Sequence, residues 1–405
     1  MELAKGRGRL LVFFLAFFIF VATSNNQSPT EKRYGVTPPA TIQHFRSLGL
    51  PLMLLSLGGV VLTSSKVFMS PPVTILSFCA SFLLAKTAVL VKKSYMNRDV
   101  RMFLFELFGN VLFVFVLPIS VFALRSSEEA VDLVTGVFFW TSVMFTVGSL
   151  YLFVIDPISA FFQARFIGLS DYPIYASQLF GFGLLSTAVR FKLKLSNRFL
   201  LAIFVPVFFF GLVLAGSRTG LAATIVALAV LFVHNKKMLL ATLGLMLIAL
   251  PFLPFFLDRI DFLRTLGEYR SFSLEDTRSE AMVNMWNQFL SSPWLGSFAD
   301  PVNTENSMLL YLIHVGVVGM AFISWFTLYL VNLFYRLFLK GAILGNSQEA
   351  WRATLAFAFL AFCFILALLD GYLWRNTTFA NCAFLLSVAL AAFVVSKRKD
   401  SLGTR

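Results

Sequence analysis

Apolar runs of about 20 residues recur along almost the whole chain, and they constrain its fold more than any other feature. A helix rises about 1.5 Å per residue and satisfies its own backbone hydrogen bonds, so each such run can cross the hydrocarbon core of a bilayer. Charged residues make up only 13% of the chain, whereas soluble domains carry about 25%. The sequence therefore predicts an all-α, polytopic membrane protein that forms one integral membrane domain over residues 1–405.

The apolar runs predict about twelve membrane spans in one transmembrane helix bundle. Their ranges are 10–24, 47–65, 71–91, 102–124, 131–154, 173–190, 199–215, 218–234, 238–256, 307–337, 350–371 and 374–396. An even number of spans places both termini on one side, and the basic residues flanking the first and last runs put that side in the cytoplasm. Lys92, Lys93, Arg98 and Arg101 fall on the outer side in this count, so the assignment before residue 131 stays open. The first run also has the form of a secretory signal, and both a cleaved signal and an uncleaved anchor fit it.

Charge, cysteine and histidine usage argue against several other classes of protein. The net charge is +13, yet the basic residues sit in short groups between apolar runs, so orientation in the membrane explains them better than nucleic-acid binding. The three cysteines lie inside apolar runs, which suggests neither disulfides nor a thiolate metal site. His314 lies in an apolar run, where packing is the main interpretation and a direct role in the chemistry is the alternative, and His44 and His234 lie in predicted loops on opposite sides. We therefore expect no metal site and no cofactor.

The longest polar stretch, residues 257–306, is predicted to be a large extracytoplasmic loop. Loops of this length in a compact protein are usually functional, so this is the first place to look for chemistry. It contains four arginines, which are Arg259, Arg264, Arg270 and Arg278. The spacing of Met282, Trp286 and Phe289 predicts a short amphipathic helix lying near the membrane surface.

A second polar element, Gly216-Ser217-Arg218-Thr219-Gly220, separates two apolar runs without room for an ordinary loop. It places Arg218 at the outer mouth of a predicted membrane helix, where an arginine is tolerated if it snorkels or binds an anion. The N–H groups and the dipole of the helix that begins there also favour negative charge, so a diphosphate would fit. The alternative is that Arg218 only anchors a tight turn against lipid headgroups.

The order Ser217-Arg218-Thr219-Gly220 before a long outer loop resembles the O-antigen ligase and polymerase family of bacterial integral membrane glycosyltransferases. Arg278 followed by Pro293-Trp294-Leu295-Gly296 is similar to the Arg, Pro-Leu-Leu-Gly pattern of that family at the same separation. The segments Glu305–Leu310 and Gly316–Gly319 resemble its His-Asn, Leu, Gly, Gly signature, with Glu305 in place of the histidine. These motifs cover about residues 215–325.

A fainter similarity lies at Arg165–Pro173, which resembles an Arg, Gly, Pro-Asn element that some members carry before a span. Ile174 stands where that element has its asparagine. Residues 1–154 add only hydropathy to the resemblance.

The resemblance implies a metal-independent, inverting glycosyltransferase that uses an undecaprenyl-diphosphate-linked oligosaccharide in the bacterial cytoplasmic (inner) membrane. By this resemblance Arg218 and Arg278, together with Arg264 or Arg270, would bind the diphosphate. Ser217 and Asn306 would support the site.

Glu305 would be the general base that takes the proton of the acceptor hydroxyl, or else only a cap of the following helix. Its replacement of the histidine of the ligases favours a polymerase of O-antigen or exopolysaccharide repeats. A ligase that transfers the glycan to lipid A core and a lipid-linked oligosaccharide flippase remain alternatives. The expected partners are the glycan donor and acceptor, the lipid bilayer, and a chain-length regulator or polysaccharide export proteins, with no nucleic acid.

Overall fold

The computed structural model describes residues 2–24, 39–64, 72–97, 100–124, 126–162, 165–170, 172–233, 240, 244, 277–297, 306–344, 348–369 and 379–396. Helices account for nearly all of them, so the predicted all-α fold class is confirmed. The helices are α1 (Glu2–Ser24), α2 (Ala40–Ser47), α3 (Gly49–Ser64), α4 (Val73–Asn97), α5 (Val100–Phe122), α6 (Ser127–Ile155), α7 (Pro173–Leu193), α8 (Arg198–Leu214), α9 (Arg218–Leu231), α10 (Thr277–Ser291), α11 (Ser307–Leu344), α12 (Gln348–Leu369) and α13 (Phe379–Ser396). A two-residue antiparallel hairpin, β1 (Phe161–Phe162) with β2 (Arg165–Phe166), lies between α6 and α7.

Several of these helices are long and apolar enough to cross a membrane. Within the described ranges they are Val73–Lys92, Ser127–Ile155, Ser307–Leu339, Gln348–Leu369 and Phe379–Ser396, and the bent pair α2 and α3 adds a sixth if it is counted as one span. Shorter apolar helices are Gly8–Ser24, Glu106–Phe122, Arg198–Leu214 and Arg218–Leu231. A helix coincides with every predicted span except 238–256, which lies outside the described residues apart from positions 240 and 244.

The chain divides into two compact units, each built from two stretches of sequence. The first comprises Met1–Lys66 and Val131–Ser273, and the second comprises Val67–Ala130 and Leu274–Arg405. The prediction of one membrane domain over the whole chain stays a prediction.

In the first unit, α1 packs against α3, and α7 packs against both α8 and α9. Glycines allow these helices to approach closely. A Cβ added at Gly183 of α7 would lie 2.9 Å from the Phe208 ring of α8, and one added at Gly211 of α8 would lie 2.5 Å from the Phe180 ring. Small residues at such contacts are what helix pairs in membranes use in place of a hydrophobic driving force.

Arg190 ties the end of α7 to the beginning of α6 within the same unit. Its guanidinium is buried and donates to the Asp132 carboxylate at 2.8 Å and to the Asp132 carbonyl at 3.2 Å. The Nε–H donates to the Ser196 hydroxyl at 2.9 Å, beyond the left-handed residue Lys194 that ends α7. Each donor of a buried charge must be satisfied in this way, so the network is structural.

In the second unit, α4 packs against α5 and α11, α12 packs against α11 and α13, and α13 packs against α5. Aromatic rings fill the centre of this arrangement, which are Phe78, Phe82, Phe326, Tyr329 and Phe384. At one end, Arg352 of α12 donates to the Ser127 hydroxyl at 2.9 Å and to the Glu128 carboxylate. The second unit therefore has an apolar core and a polar contact between Arg352, near the beginning of α12, and the first residues of α6.

Candidate functional site

The turn between α8 and α9 is as short as the sequence predicts. The last helical residue of α8 is Leu214, and α9 begins at Arg218. Gly216 has a φ of +57°, a left-handed conformation that reverses the chain and that glycine adopts without strain. Ser217 caps α9, because its hydroxyl oxygen accepts a hydrogen bond from the Gly220 N–H at 3.2 Å. The predicted helix start at this motif is confirmed.

Arg218 is exposed on the first turn of α9, whereas the two residues after it are buried. Gly220 lies against α7 so closely that an added Cβ would be 2.0 Å from the Ser177 Oγ and 2.6 Å from its Cβ. The beginning of α9 is therefore held in place by close packing against α7, and the Arg218 side chain is exposed at this end of the helix. The exposed Arg218 cation and the N-terminus of α9 together suit an anionic ligand.

Arg165 lies beside the same turn, although its position in the sequence is remote. A Cβ added at Gly216 would be 3.4 Å from the Arg165 Cγ and 3.9 Å from its Nε. The arginine belongs to β2, and the chain after it is held by the Ile167 and Gly168 N–H groups, which donate to the Ala160 carbonyl at 2.9 and 3.1 Å. Two arginines thus flank one short turn of the first unit.

Arg278, the arginine of the second predicted motif, lies in the first turn of α10. The predicted amphipathic helix is present there. Met282 and Trp286 are exposed, whereas Phe289 is buried together with Ala281 and Met285 on the neighbouring face. These last three recur every four residues and form the face that packs against α11.

The long helix α11 is interrupted at Gly316, and the segment Pro293–Ser297 fills the interruption. Gly316 has φ 67° and ψ −171°, a backbone conformation confined to glycine. The Val317 N–H donates to the Pro293 carbonyl at 2.8 Å and the Val318 N–H to the Trp294 carbonyl at 3.1 Å. The Ser297 N–H donates to the Ile313 carbonyl at 2.7 Å. The segment replaces the hydrogen bonds that the helix would otherwise make across the break.

Two glycines make this approach of backbone to backbone feasible. A Cβ at Gly316 would lie 2.2 Å from the Trp294 carbonyl oxygen, and a Cβ at Gly296 would lie 2.6 Å from the His314 carbonyl oxygen. Gly296 also has a φ of +73°. The sequence presents Pro293–Gly296 and Gly316–Gly319 as separate motifs, and the structure joins them into one element.

Side-chain hydrogen bonds join this element to α4 and the beginning of α11 to α12. The Lys92 ammonium of α4 is buried and donates to the Leu295 carbonyl at 2.8 Å. The Asn306 Oδ1 accepts from the Leu309 N–H at 2.9 Å and so caps α11, and its Nδ2 donates to the Leu368 carbonyl at 2.8 Å. In the count of spans, Lys92 falls on the outer side of the membrane, against the rule that positive charge lies inside. Its hydrogen bond to Leu295 gives this buried lysine a structural role.

The predicted site residues fall into three groups. Ser217 and Arg218 lie in the first unit, and Arg278 and Asn306 lie in the second. Glu305, Arg264 and Arg270 lie outside the described residues. Sequence reasoning gave little weight to Arg165 and none to Lys92. The sequence signals for them were the faint similarity at Arg165–Pro173 and the placement of Lys92 on the outer side by the count of spans.

Comparison of the chain with models of known protein families and with curated proteins finds no match. The resemblance to the O-antigen ligase and polymerase family therefore rests on the motifs themselves, at residues 217–220, 278, 293–296 and 305–319.

Proposed function

We propose that this chain is a membrane glycosyltransferase that polymerises undecaprenyl-diphosphate-linked oligosaccharide repeats on the outer face of the bacterial cytoplasmic membrane. About twelve spans would carry both termini in the cytoplasm and residues 257–306 on the outer face. The observation that carries the proposal is the α8–α9 turn, where the exposed Arg218 and the adjacent Arg165 flank a helix N-terminus.

The reaction breaks the bond between the anomeric carbon of the donor and its phosphate oxygen, and the electron pair leaves with the diphosphate. Arg218 and Arg165 are suited to stabilise that developing charge, because a guanidinium donates two parallel hydrogen bonds to phosphate and remains charged at any working pH. The N-terminal end of the α9 dipole adds a favourable electrostatic contribution. In this role the arginines replace the divalent ion that a nucleotide-sugar enzyme would use.

The hydroxyl of the acceptor glycan attacks the anomeric carbon from the face opposite the diphosphate, which inverts its configuration. Glu305 accepts the proton of that hydroxyl as the general base. Arg278, with Arg264 or Arg270, contributes further positive charge. The docking of Pro293–Ser297 into α11 supports this assignment, because it fixes the end of the helix that carries Arg278 relative to Asn306, the residue after the proposed base.

The test uses purified protein in proteoliposomes with lipid-linked single repeats, and gel analysis of the glycan formed. Arg218→Ala should lower the rate of chain extension by about 10²–10³-fold, the usual loss when one group that stabilises transition-state charge is removed. Arg198→Ala is the matched control, since Arg198 is also an exposed arginine that begins a helix. It should leave the rate unchanged. Full chain extension by both Arg218→Ala and Glu305→Ala would refute the assignment.

The same assay separates the polymerase from a ligase. A ladder of glycan lengths formed without any core acceptor supports polymerisation, whereas a strict requirement for lipid A core supports transfer of a finished chain.

A lipid-linked oligosaccharide flippase is the second candidate function, because α11 is interrupted at Gly316 and interrupted helices are common in transporters. Transporters commonly build their substrate sites at breaks in membrane helices, where backbone groups are free to bind a ligand. At Gly316 the backbone groups on both sides of the break are instead bonded to Pro293–Ser297. Accumulation of single lipid-linked repeats on the outer face of cells that carry Arg218→Ala would exclude the flippase, because translocation would then be intact.

A further inference from the structure

The surface of α10 has three sectors. A helix that lies between protein and water needs only two, one buried and one polar. Ala281, Met285 and Phe289 are buried against α11. The residues Glu280, Asn287 and Ser291 form an exposed polar sector. Between these two sectors lies an exposed apolar face, which we define as Met282, Val283, Trp286, Leu290, Trp294 and Leu295.

This apolar face is large and well exposed. Val283, Trp286 and Leu290 are each at least half exposed, and Trp294 and Leu295, which continue the face beyond the helix, are 70% and 68% exposed. The side chains of Trp294 and Leu295 play no part in the docking at Gly316, because that docking uses only their backbone carbonyls. A contiguous apolar surface of this kind marks a contact with lipid or protein rather than with water.

Two hydrogen bonds place the C-terminal end of α10 beside the ends of apolar helices. Lys92, which donates to the Leu295 carbonyl, directly follows the apolar run 71–91 of α4 and begins the polar end of that helix. Asn306 directly precedes the apolar helix that begins at Ser307, and its side chain donates to the Leu368 carbonyl, two residues before Asp370 interrupts the apolar sequence that follows α12. Three spans therefore end beside the segment that carries Trp294 and Leu295.

The length and composition of α10 fit a helix that lies parallel to the membrane surface, beside these helix ends. Its 15 residues extend about 22 Å, which is shorter than the roughly 30 Å of a bilayer core. Two tryptophans lie in its exposed apolar face, and tryptophan is the side chain most enriched where acyl chains meet headgroups. We propose that the exposed apolar face of α10 lies in the acyl–headgroup boundary of the lipid bilayer, with the polar sector toward water. This inference is independent of the proposed function.

The test places one fluorescent label on each of two neighbouring positions of the full-length chain in proteoliposomes. Leu290→Cys puts the label on the apolar face, and Asn287→Cys puts it on the polar sector as the matched control. Both residues are exposed, so the substitutions spare the core. The native cysteines Cys79, Cys363 and Cys382 are buried and are replaced by alanine in both variants. An environment-sensitive dye is then quenched by lipids brominated near the headgroup or by aqueous iodide.

Brominated lipids should weaken the emission of the Leu290 label about twofold or more and leave the Asn287 label unchanged. Iodide should show the reverse order. Equal quenching of both labels by iodide, with no effect of brominated lipid, would overturn the proposal in favour of a water-facing helix. Protection of the Leu290 label from both quenchers would overturn it in favour of a protein partner, either a second copy of the chain or another protein.

Discussion

Replacement of Gly316 by alanine gives a direct measure of how far the interrupted helix depends on backbone docking. The new Cβ would lie 2.2 Å from the Trp294 carbonyl oxygen and 2.6 Å from the Gly296 N–H nitrogen. Both are backbone atoms, so no side chain can rotate away to relieve the overlap. Pro293–Ser297 must then move out of the break, or α11 must change its course.

The expected cost follows from the contacts. An alanine forced into a conformation reserved for glycine costs about 1–3 kcal/mol. Displacement of the segment also removes the hydrogen bonds from the Val317 and Val318 N–H groups, each of which contributes about 1 kcal/mol net. The smaller backbone entropy of alanine in the unfolded chain offsets about 0.5–1 kcal/mol of this. We expect Gly316→Ala to lower the free energy of unfolding by about 2–4 kcal/mol.

The assay is unfolding in mixed detergent micelles, combined with hydrogen exchange of the peptides around Val317 and Val318. Gly109→Ala is the matched control, because an added Cβ there meets no atom within 4 Å and lies inside the helix α5. It should stabilise the chain by up to about 1 kcal/mol, the difference in helix propensity. If Gly316→Ala unfolds like Gly109→Ala and its amides exchange no faster, the docking of Pro293–Ser297 does not stabilise the fold as described.

Three other changes test separate parts of the structure. Lys92→Met should speed hydrogen exchange around Leu295 about tenfold or more, because it removes a hydrogen bond from a charged donor. Lys92→Arg is the control and should retain most of the protection. Equal exchange rates in the two variants would contradict the contact. Ser217→Ala should lower the free energy of unfolding by about 1 kcal/mol through loss of the helix cap, whereas Ser217→Thr should change it by only a few tenths. Arg190→Met should cost about 2–3 kcal/mol in the same unfolding assay, since it leaves the groups at the beginning of α6 without their buried donor; Lys194→Met, at an exposed site nearby, should stay within about 0.5 kcal/mol.

The positions of the helices could be predicted because an apolar run of sufficient length indicates a membrane helix, whichever helices pack against it. The break at Gly316 could not, since the hydropathy of 307–337 is continuous and the break exists only with a remote segment to fill it. The helix α10 itself could be predicted, but the division of its apolar residues into a buried and an exposed sector could not. The amphipathic spacing does not say which of these residues contact the rest of the protein.

In the candidate site, too, the features set by neighbouring residues could be predicted, and the contacts between residues distant in sequence could not. The start of α9 at Arg218 could be predicted from the Gly-Ser-Arg-Thr-Gly turn, because a glycine and a capping serine are local signals. Arg165 lies beside that turn only because the hairpin β1–β2 returns the chain to it. The bond between Lys92 and Leu295 likewise joins residues with no relation in sequence.

The docking of Pro293–Ser297 has a consequence for how this region can vary in evolution. Three successive carbonyls, those of Pro293, Trp294 and Leu295, accept the hydrogen bonds, and no side chain of these residues takes part. Selection acting on the docked geometry therefore constrains Gly296 and Gly316, where any larger residue collides with backbone, and leaves the side chains at 294 and 295 to be constrained by their exposed apolar surroundings alone. A library of all residues at these positions should accept many apolar types at 294 and 295 and almost none at 296 and 316.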